Sequence, residues 1–441
     1  MSATLNSCTW SNLPTEMKLA IVDALAPEDV KSMSQVDQRT YQACVPATFK
    51  TVKLNNYDAL QKFLENVPRS YCSHIQELEI CTQNEEGEVN ILLRTRTDSV
   101  IALLSACSRL TKLTLKMAGS LDKSIIAPFP FLNNLKHLTI ANCGEENSNP
   151  LSERLVVSIA ASVQNLQELS LDRISRSKLH APELEGAYPY VPLVVGDDDI
   201  PDHPLLGSEL CLPSLLRIPN LRKLTIRDTH LGDERWTTTP VACRLQVLDL
   251  GSCYHEDEDF NSACTERIMS TVGRTIDEFS LTTAVSDSVF AKPAATPLQR
   301  LRKLHITPFF PVDSVVDTMT NLAGSPIENL SLQCYEDDMV DMCEALESFL
   351  SRRVERGPQF YDKLKRIDIA ITAADGASTP SAEEVEERAV AAKRLQDFCR
   401  DLRLASVVGK FNSLAEKAPR PTSLSFTDWK RPTSKARSMT I

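Results

Sequence analysis

The sequence predicts an α/β fold, a curved solenoid of strand–helix repeats behind a short N-terminal module of three helices, and three observations carry that prediction. The first is a phrase, Leu-x-x-Leu-x-Leu, that recurs along nearly the whole chain. It stands at Leu110-Leu113-Leu115, Leu135-Leu138-Ile140, Leu166-Leu169-Leu171, Leu221-Leu224-Ile226, Leu245-Leu248-Leu250, Leu301-Leu304-Ile306 and Ile327-Leu330-Leu332. Looser copies are Ile75-Leu78-Ile80, Ile276-Phe279-Leu281 and Leu364-Ile367-Ile369. The second observation is spacing: the copies begin 24 to 37 residues apart, except for one interval of 55 between Leu166 and Leu221. The third is that apolar residues between the copies fall at helical spacing, as in Leu155, Val156, Ile159 and Val163.

The N-terminal module spans 13–50, after an extension over 1–12. Pro14 suits a first helical turn, where a missing N–H costs nothing, and Glu16 complements the positive helix end. Met17, Ile21 and Leu25 then recur every four residues on one stripe. Pro27, Glu28 and Asp29 open a second helix that carries Val30, Met33 and Val36. Asp37 is placed to cap a third, carrying Tyr41 and Val45. Three short helices enclose a very small core, which ordinarily leans on another surface.

From 51 to 380 the repeated phrase takes over. A period of roughly 20–29 residues with this phrase marks a leucine-rich repeat, in which each unit stacks a strand and a helix on its neighbours. Several copies here are longer, which predicts irregular repeats with longer helices in a horseshoe. Asp98 is a candidate cap for a helix carrying Val100, Ile101, Leu103 and Leu104. Further helices are expected over 152–163, 312–322 and 336–353. The long interval holds an insertion, 177–213, with six prolines and the acidic run Asp197-Asp198-Asp199. It reads either as a mobile surface excursion or as an ordered lid across the concave face. From 381 to 418 a charged helix begins at Ser381 and is expected to seal the far end through Val385, Val390, Leu395 and Phe398. A flexible tail with scattered basic residues occupies 419–441.

Composition narrows the function. A net charge of −11 and a pI near 5.3 oppose a nucleic-acid binder, which needs a basic footprint, and equally an anionic membrane surface. No apolar run is long enough to span a bilayer, and residues 1–12 lack a secretory signal, so the expected location is cytoplasmic or nuclear rather than secreted. The 13 cysteines are scattered without a Cys-x-x-Cys pair, the pattern of reduced, buried thiols. Cys143, Cys253 and Cys334 fall where the repeat pattern calls for Asn or Cys and are expected to turn inward beneath the bend. No metal is expected, because the acidic runs at 197–199 and 256–259 lack the glycine bend and terminal Glu of a calcium loop. No cofactor is expected either. Glycine is sparse, and neither phosphate-cradling glycine loops nor catalytic motifs occur, so no catalytic residue is proposed and the chain is not expected to be an enzyme.

Leu13-Pro14, Glu16, Ile21, Leu25, Pro27, Asp29-Val30, Met33 and Val36 together resemble an F-box, and with the repeats behind it the chain resembles the F-box/leucine-rich-repeat proteins of fungal type. That resemblance implies a Skp-type adaptor as partner, and through it a cullin/RING scaffold, in an SCF ubiquitin ligase. It implies an adaptor-binding set of Leu13, Pro14, Glu16, Met17, Ile21, Leu25, Val30, Met33 and Val36. Where the family usually carries Val-Cys-Arg, this chain reads Val36-Asp37-Gln38-Arg39. The alternative is a repeat scaffold without a ligase, its first helices acting only as the cap that solenoids require. A more distant likeness to Ran GTPase activators stops at the repeats, because the exposed Arg of that family has no matching motif here.

The target of such a receptor would meet the outward residues of the strands. Strand alternation sends the leucines inward and turns Lys112, Thr114, His137, Glu168, Lys223, Thr225, Asp249, Lys303, His305 and Arg366 onto the concave face. That face is small, polar and mixed in charge. It suits a target protein whose identity the residues do not specify, or it is simply a solvated sheet.

Overall fold

Leucines that alternate inward and pair with identical neighbours build a parallel sheet, and the computed structural model shows one. It describes residues 10–84, 93–187, 190–283, 298–308, 310–335, 337–357, 360–372 and 382–408. Most of the extension 1–12, Ser381, the end of the 381–418 segment and the tail 419–441 lie outside the described residues.

Three helices come first: α1 (Thr15–Asp23), α2 (Pro27–Ser34) and α3 (Gln38–Thr48). Asp37 caps α3, accepting from the Thr40 N–H at 2.8 Å and from the Thr40 hydroxyl at 3.0 Å. Those bonds hold its carboxyl below the usual range. Asp37, in the run Val36-Asp37-Gln38-Arg39, is therefore a helix cap.

The sheet starts at β1 (Thr51–Leu54) and continues through β2 (Glu77–Cys81), β3 (Lys112–Met117), β4 (His137–Asn142) and β5 (Glu168–Asp172). Two short strands, β6 (Arg176–Ser177) and β7 (Leu193–Val194), pair only with each other. Then follow β8 (Lys223–Arg227), β9 (Val247–Leu250), β10 (Glu278–Leu281), β11 (Lys303–Ile306), β12 (Asn329–Tyr335), β13 (Arg366–Thr372) and β14 (Ala405–Val408). Among the described residues twelve strands form one sheet in chain order, β6 and β7 excepted, and the pairs are parallel throughout. Strand order equal to chain order with every crossover on one side is the solenoid architecture. The inward residues Leu113, Leu138, Leu169, Leu224, Leu248 and Leu304 are buried and belong to one continuous core. Each contributes about 1.5–3 kcal/mol on burial.

Copy length governs most returns to the next strand, although the 55-residue copy from Leu166 has no α-helix, only 3₁₀ turns, Pro182–Leu184 and Leu212–Arg217, among its described residues. The other long copies contain α-helices: α4 (Tyr57–Asn66) and the short α5 (Arg69–Cys72) between β1 and β2, α6 (Leu93–Ala106), α7 (Glu153–Ser162), α8 (Glu258–Val272) and, after a shorter α9 (Val315–Asn321), α10 (Met339–Arg356). Copies of 24 and 25 residues, starting at Leu221 and Leu110, manage only 3₁₀ turns such as Glu234–Trp236 and Lys123–Ile126. Asp98 is not a cap, because α6 already runs from Leu93.

Three expectations are corrected. The described residues of the insertion pack against α7 instead of covering the concave face. Ile200, Leu206 and Leu210 join the main core. Ser152, which caps α7, and Ser177 both donate to Asp197, at 2.6 and 2.7 Å. The helix expected to seal the far end, α11 (Ala382–Asp401), is followed by β14, which pairs with β13, so it belongs to a further repeat. Arg388, Ala391, Ala392, Leu395 and Cys399 are buried, while Val385 and Val390 are exposed. Finally, Asn142 takes the inward place beneath the bend after β4, accepting from the Gly119 and Gly144 N–H groups at 3.2 and 2.9 Å. Cys143 is left half-buried, whereas Cys253 and Cys334 are buried.

Candidate functional site

The N-terminal module keeps its own core. Val22, Val30 and Cys44 are buried together, with Trp10, Leu25, Met33 and Ala47 packed around them, separate from the core of the solenoid. On α1 the buried position is Val22. Met17 and Ile21 sit one turn apart on a neighbouring face and stay 52% and 40% exposed. Val36, just beyond α2, is 70% exposed. Pro14 and Glu16 are exposed, and Leu13 is half-buried. One member of the implied adaptor set is corrected: Val30 is sealed inside the module, where no partner reaches it. Leu25 and Met33 also spend most of their surface on this core. Met17, Ile21 and Val36 remain outward and take no part in the module's own core.

The concave face gathers its candidates in two adjacent columns. One runs Lys112, His137, Glu168, Lys223, Val247, Glu278, Lys303, Asn329, Arg366 in register, and the other Thr114, Thr139, Ser170, Thr225, Asp249, Ser280, His305, Ser331, Asp368. All ten predicted residues lie in them. They are not equally available, because Thr225 and Asp249 are buried.

Charge pairs across strands, and one within β13, occupy much of this face. His137 Nδ1 lies 3.1 Å from Glu168 Oε2, and Arg366 pairs with Asp368 at 2.6 Å. At the start of the sheet Lys53 and Lys116 flank Glu79. The strongest knot is Glu278, which spacing alone does not single out. It is buried and accepts from His305 at 2.8 Å and from Lys303 at 3.3 Å. Burial pushes its carboxyl up, but His305 and then Lys303 bring it below the usual range.

Beside Glu278 the polar column is interrupted by Val247, and a shallow, open dent lies there. Lys223, Val247, Leu248, Asp249, Glu278, Ser280 and His305 line it. Asp249 spends one carboxylate oxygen on Arg227 at 2.8 Å. Its other oxygen and the Ser280 hydroxyl are buried without a hydrogen-bond partner among the described residues. Buried polar atoms left unmatched favour a ligand group that matches them.

No group of three or more His, Cys, Asp or Glu residues suited to a metal ion exists among the described residues. No helix among them is long and apolar enough to cross a membrane.

The fold is a leucine-rich-repeat solenoid. That follows from the strand order and the inward leucines. No protein-family model matches the chain, and no curated protein matches it. Two solved structures are similar in part. The leucine-rich repeat-containing protein LegL7 from Legionella pneumophila is 11% identical, with 79% of this chain and 97% of that chain covered at a TM-score of 0.38. A chain of the Rad7 and Elc1 complex in yeast is 14% identical, with 83% and 90% covered at a TM-score of 0.28.

Proposed function

We propose that this chain is a non-catalytic substrate receptor: its N-terminal module docks on a Skp-type adaptor of an SCF ubiquitin ligase, and its concave face holds a target protein. One observation carries the reading. The module has a core of its own and turns Met17, Ile21 and Val36 to solvent. A helical lid that served only to close the solenoid would spend its apolar residues on the first repeat. The F-box resemblance of residues 13–36 supplies the kind of partner. The polar, mixed-charge columns of the concave sheet are where this reading puts the target protein. Ubiquitin transfer would then belong to the bound conjugating enzyme, with this subunit contributing proximity.

The test is co-expression with a Skp-type adaptor, comparing the wild-type chain with a Met17→Asp, Ile21→Asp double variant. Both side chains are exposed, so the variant is expected to fold, as checked by circular dichroism. Binding should weaken by at least about thirtyfold, the equivalent of about 2 kcal/mol for loss of an apolar anchor. A wild-type chain that ignores the adaptor would sink the ligase reading and leave a repeat scaffold.

A further inference from the structure

Two thiols that neither recognition surface uses meet at one edge of the sheet. Cys81 is the last residue of β2, in register with Lys116 of β3. Cys143 immediately follows β4. Their sulfurs are 3.8 Å apart, reaching toward each other past the end of β3. Alternation from Glu77 and Glu79 puts Cys81 on the concave side, with Lys116 beside it. Cys81 is buried and Cys143 half-buried, so a small solute reaches the pair from the side of Cys143.

The surroundings separate these sulfurs chemically. The hydrogen bond from Cys143 is the largest influence on Cys81, and it favours the thiolate there. Burial opposes it, while the Gln83 N–H and the Lys116 ammonium add support, so the Cys81 thiol is held below its usual range. Cys143 is pushed the other way by the same contact. Elsewhere burial is the largest influence and drives thiols up, Cys107, Cys253 and Cys334 each to about 12, which disfavours the thiolate.

We propose that Cys81 and Cys143 form a reversible disulfide, a modification site for small two-electron oxidants of the hydrogen peroxide class. The Cys81 thiolate attacks one peroxide oxygen. The O–O bond breaks, the sulfur becomes a sulfenic acid and the other oxygen leaves as water after taking up a proton. The Cys143 sulfur, giving up its proton, then attacks the sulfenic sulfur. The S–S bond forms, the S–O bond breaks and a second water departs. In sum two thiols and one peroxide give one disulfide and two waters.

Closing the bond draws the sulfurs from 3.8 Å to about 2.0 Å. Cys143 opens the loop between β4 and α7 and its N–H is tied to the Met117 carbonyl at 2.8 Å, so the start of that loop moves toward β2. The cross-link spans β3 and thereby fixes β2 against β4, where the relative twist of neighbouring strands shapes the concave face.

The experiment treats the reduced full chain with hydrogen peroxide at neutral pH, then maps disulfides by mass spectrometry of a non-reducing digest. The expected product is a peptide joining Cys81 to Cys143, lighter by two hydrogens, formed before any other cysteine is modified and reversed by dithiothreitol. In a Cys143→Ser variant, folded by circular dichroism, Cys81 should stop at the sulfenic acid and be trapped by dimedone. A wild-type chain that cross-links other cysteines first, or leaves Cys81 unmodified while its unfolded form oxidises, overturns the proposal. So does a Cys143→Ser variant that yields no dimedone adduct at Cys81.

Discussion

Asp172, at the end of β5, is a carboxylate in the wrong surroundings. It is buried, one of its oxygens has no hydrogen-bond partner among the described residues, and Asp228 and Glu146 lie near. Burial first, and then Asp228, raise its pKa from 3.8 to about 6, against the opposing pull of Arg173 and Arg227. The folded value exceeds the unfolded one, so its stabilising contribution is complete below about pH 4 and is lost as pH rises through 6. An Asp172→Asn variant escapes that loss. Its stability relative to wild type should climb between pH 4 and pH 6 and level off above, by up to about 3 kcal/mol for a shift of about two units. Urea denaturation across that range checks it, and a difference that does not change with pH would refute it. Such a residue is invisible in the sequence, because its neighbours come from three separate strands and loops. Local chemistry was legible by contrast: Asp37 three residues before Thr40 reads as a cap and is one. The phase of α1 was not, since Met17, Ile21 and Leu25 form as regular a stripe as the one through Val22, and only the packing of α3 decides which is buried.

Elements were legible where they repeat and obscure where their support is non-local. The 55-residue interval announces an insertion, but its order depends on side chains far apart in sequence. Glu153, fully buried in the first turn of α7, meets Arg176 at 3.2 Å, His180 at 3.1 Å and the Ser177 N–H at 3.0 Å. Arg176 goes on to Asp233 at 3.0 Å. Arg154 donates to the carbonyls of Asp197 and Ile200, at 3.1 and 3.3 Å. Periodicity cannot foresee an anchor built from such partners, and proline content by itself reads as loop. Glu153→Gln would remove the buried carboxylate shared by Arg176, His180 and the Ser177 N–H, leaving Arg176 with Asp233 alone, at a cost of about 3 kcal/mol. The expected readout is protease cleavage within 178–210 at concentrations that spare wild type; equal resistance would show that the apolar residues Ile200, Leu206 and Leu210 suffice. Burial pushes the Glu153 carboxyl up, but Arg176 and His180 bring it below 4.5. Its contribution is therefore present above pH 4.5 and is lost as pH falls through the lower folded value.

At the scale of the whole molecule, each strand of the long sheet pairs only with the strands beside it, and this sets how damage spreads. The sheet was legible because the repeated phrase states both the inward face and the register: Leu224, Leu248 and Phe279 stand opposite one another just as the aligned copies require. Its last strand, β14, carries no such phrase and went unforeseen. In a solenoid, stability is a sum of repeat and nearest-neighbour terms, so a weak repeat opens with its neighbours and not with distant ones. Leu248→Ala empties a fully buried position in β9 and should cost about 2–5 kcal/mol. Amide hydrogen exchange should then quicken in β8, β9 and β10 while β2 and β3 keep their protection. Uniform loss across all twelve strands would mean that the continuous core unfolds as one cooperative unit. In that case Asp172 and the Glu153 anchor would report on the whole chain, and a disulfide between Cys81 and Cys143 would slow exchange in β10 as much as in β3.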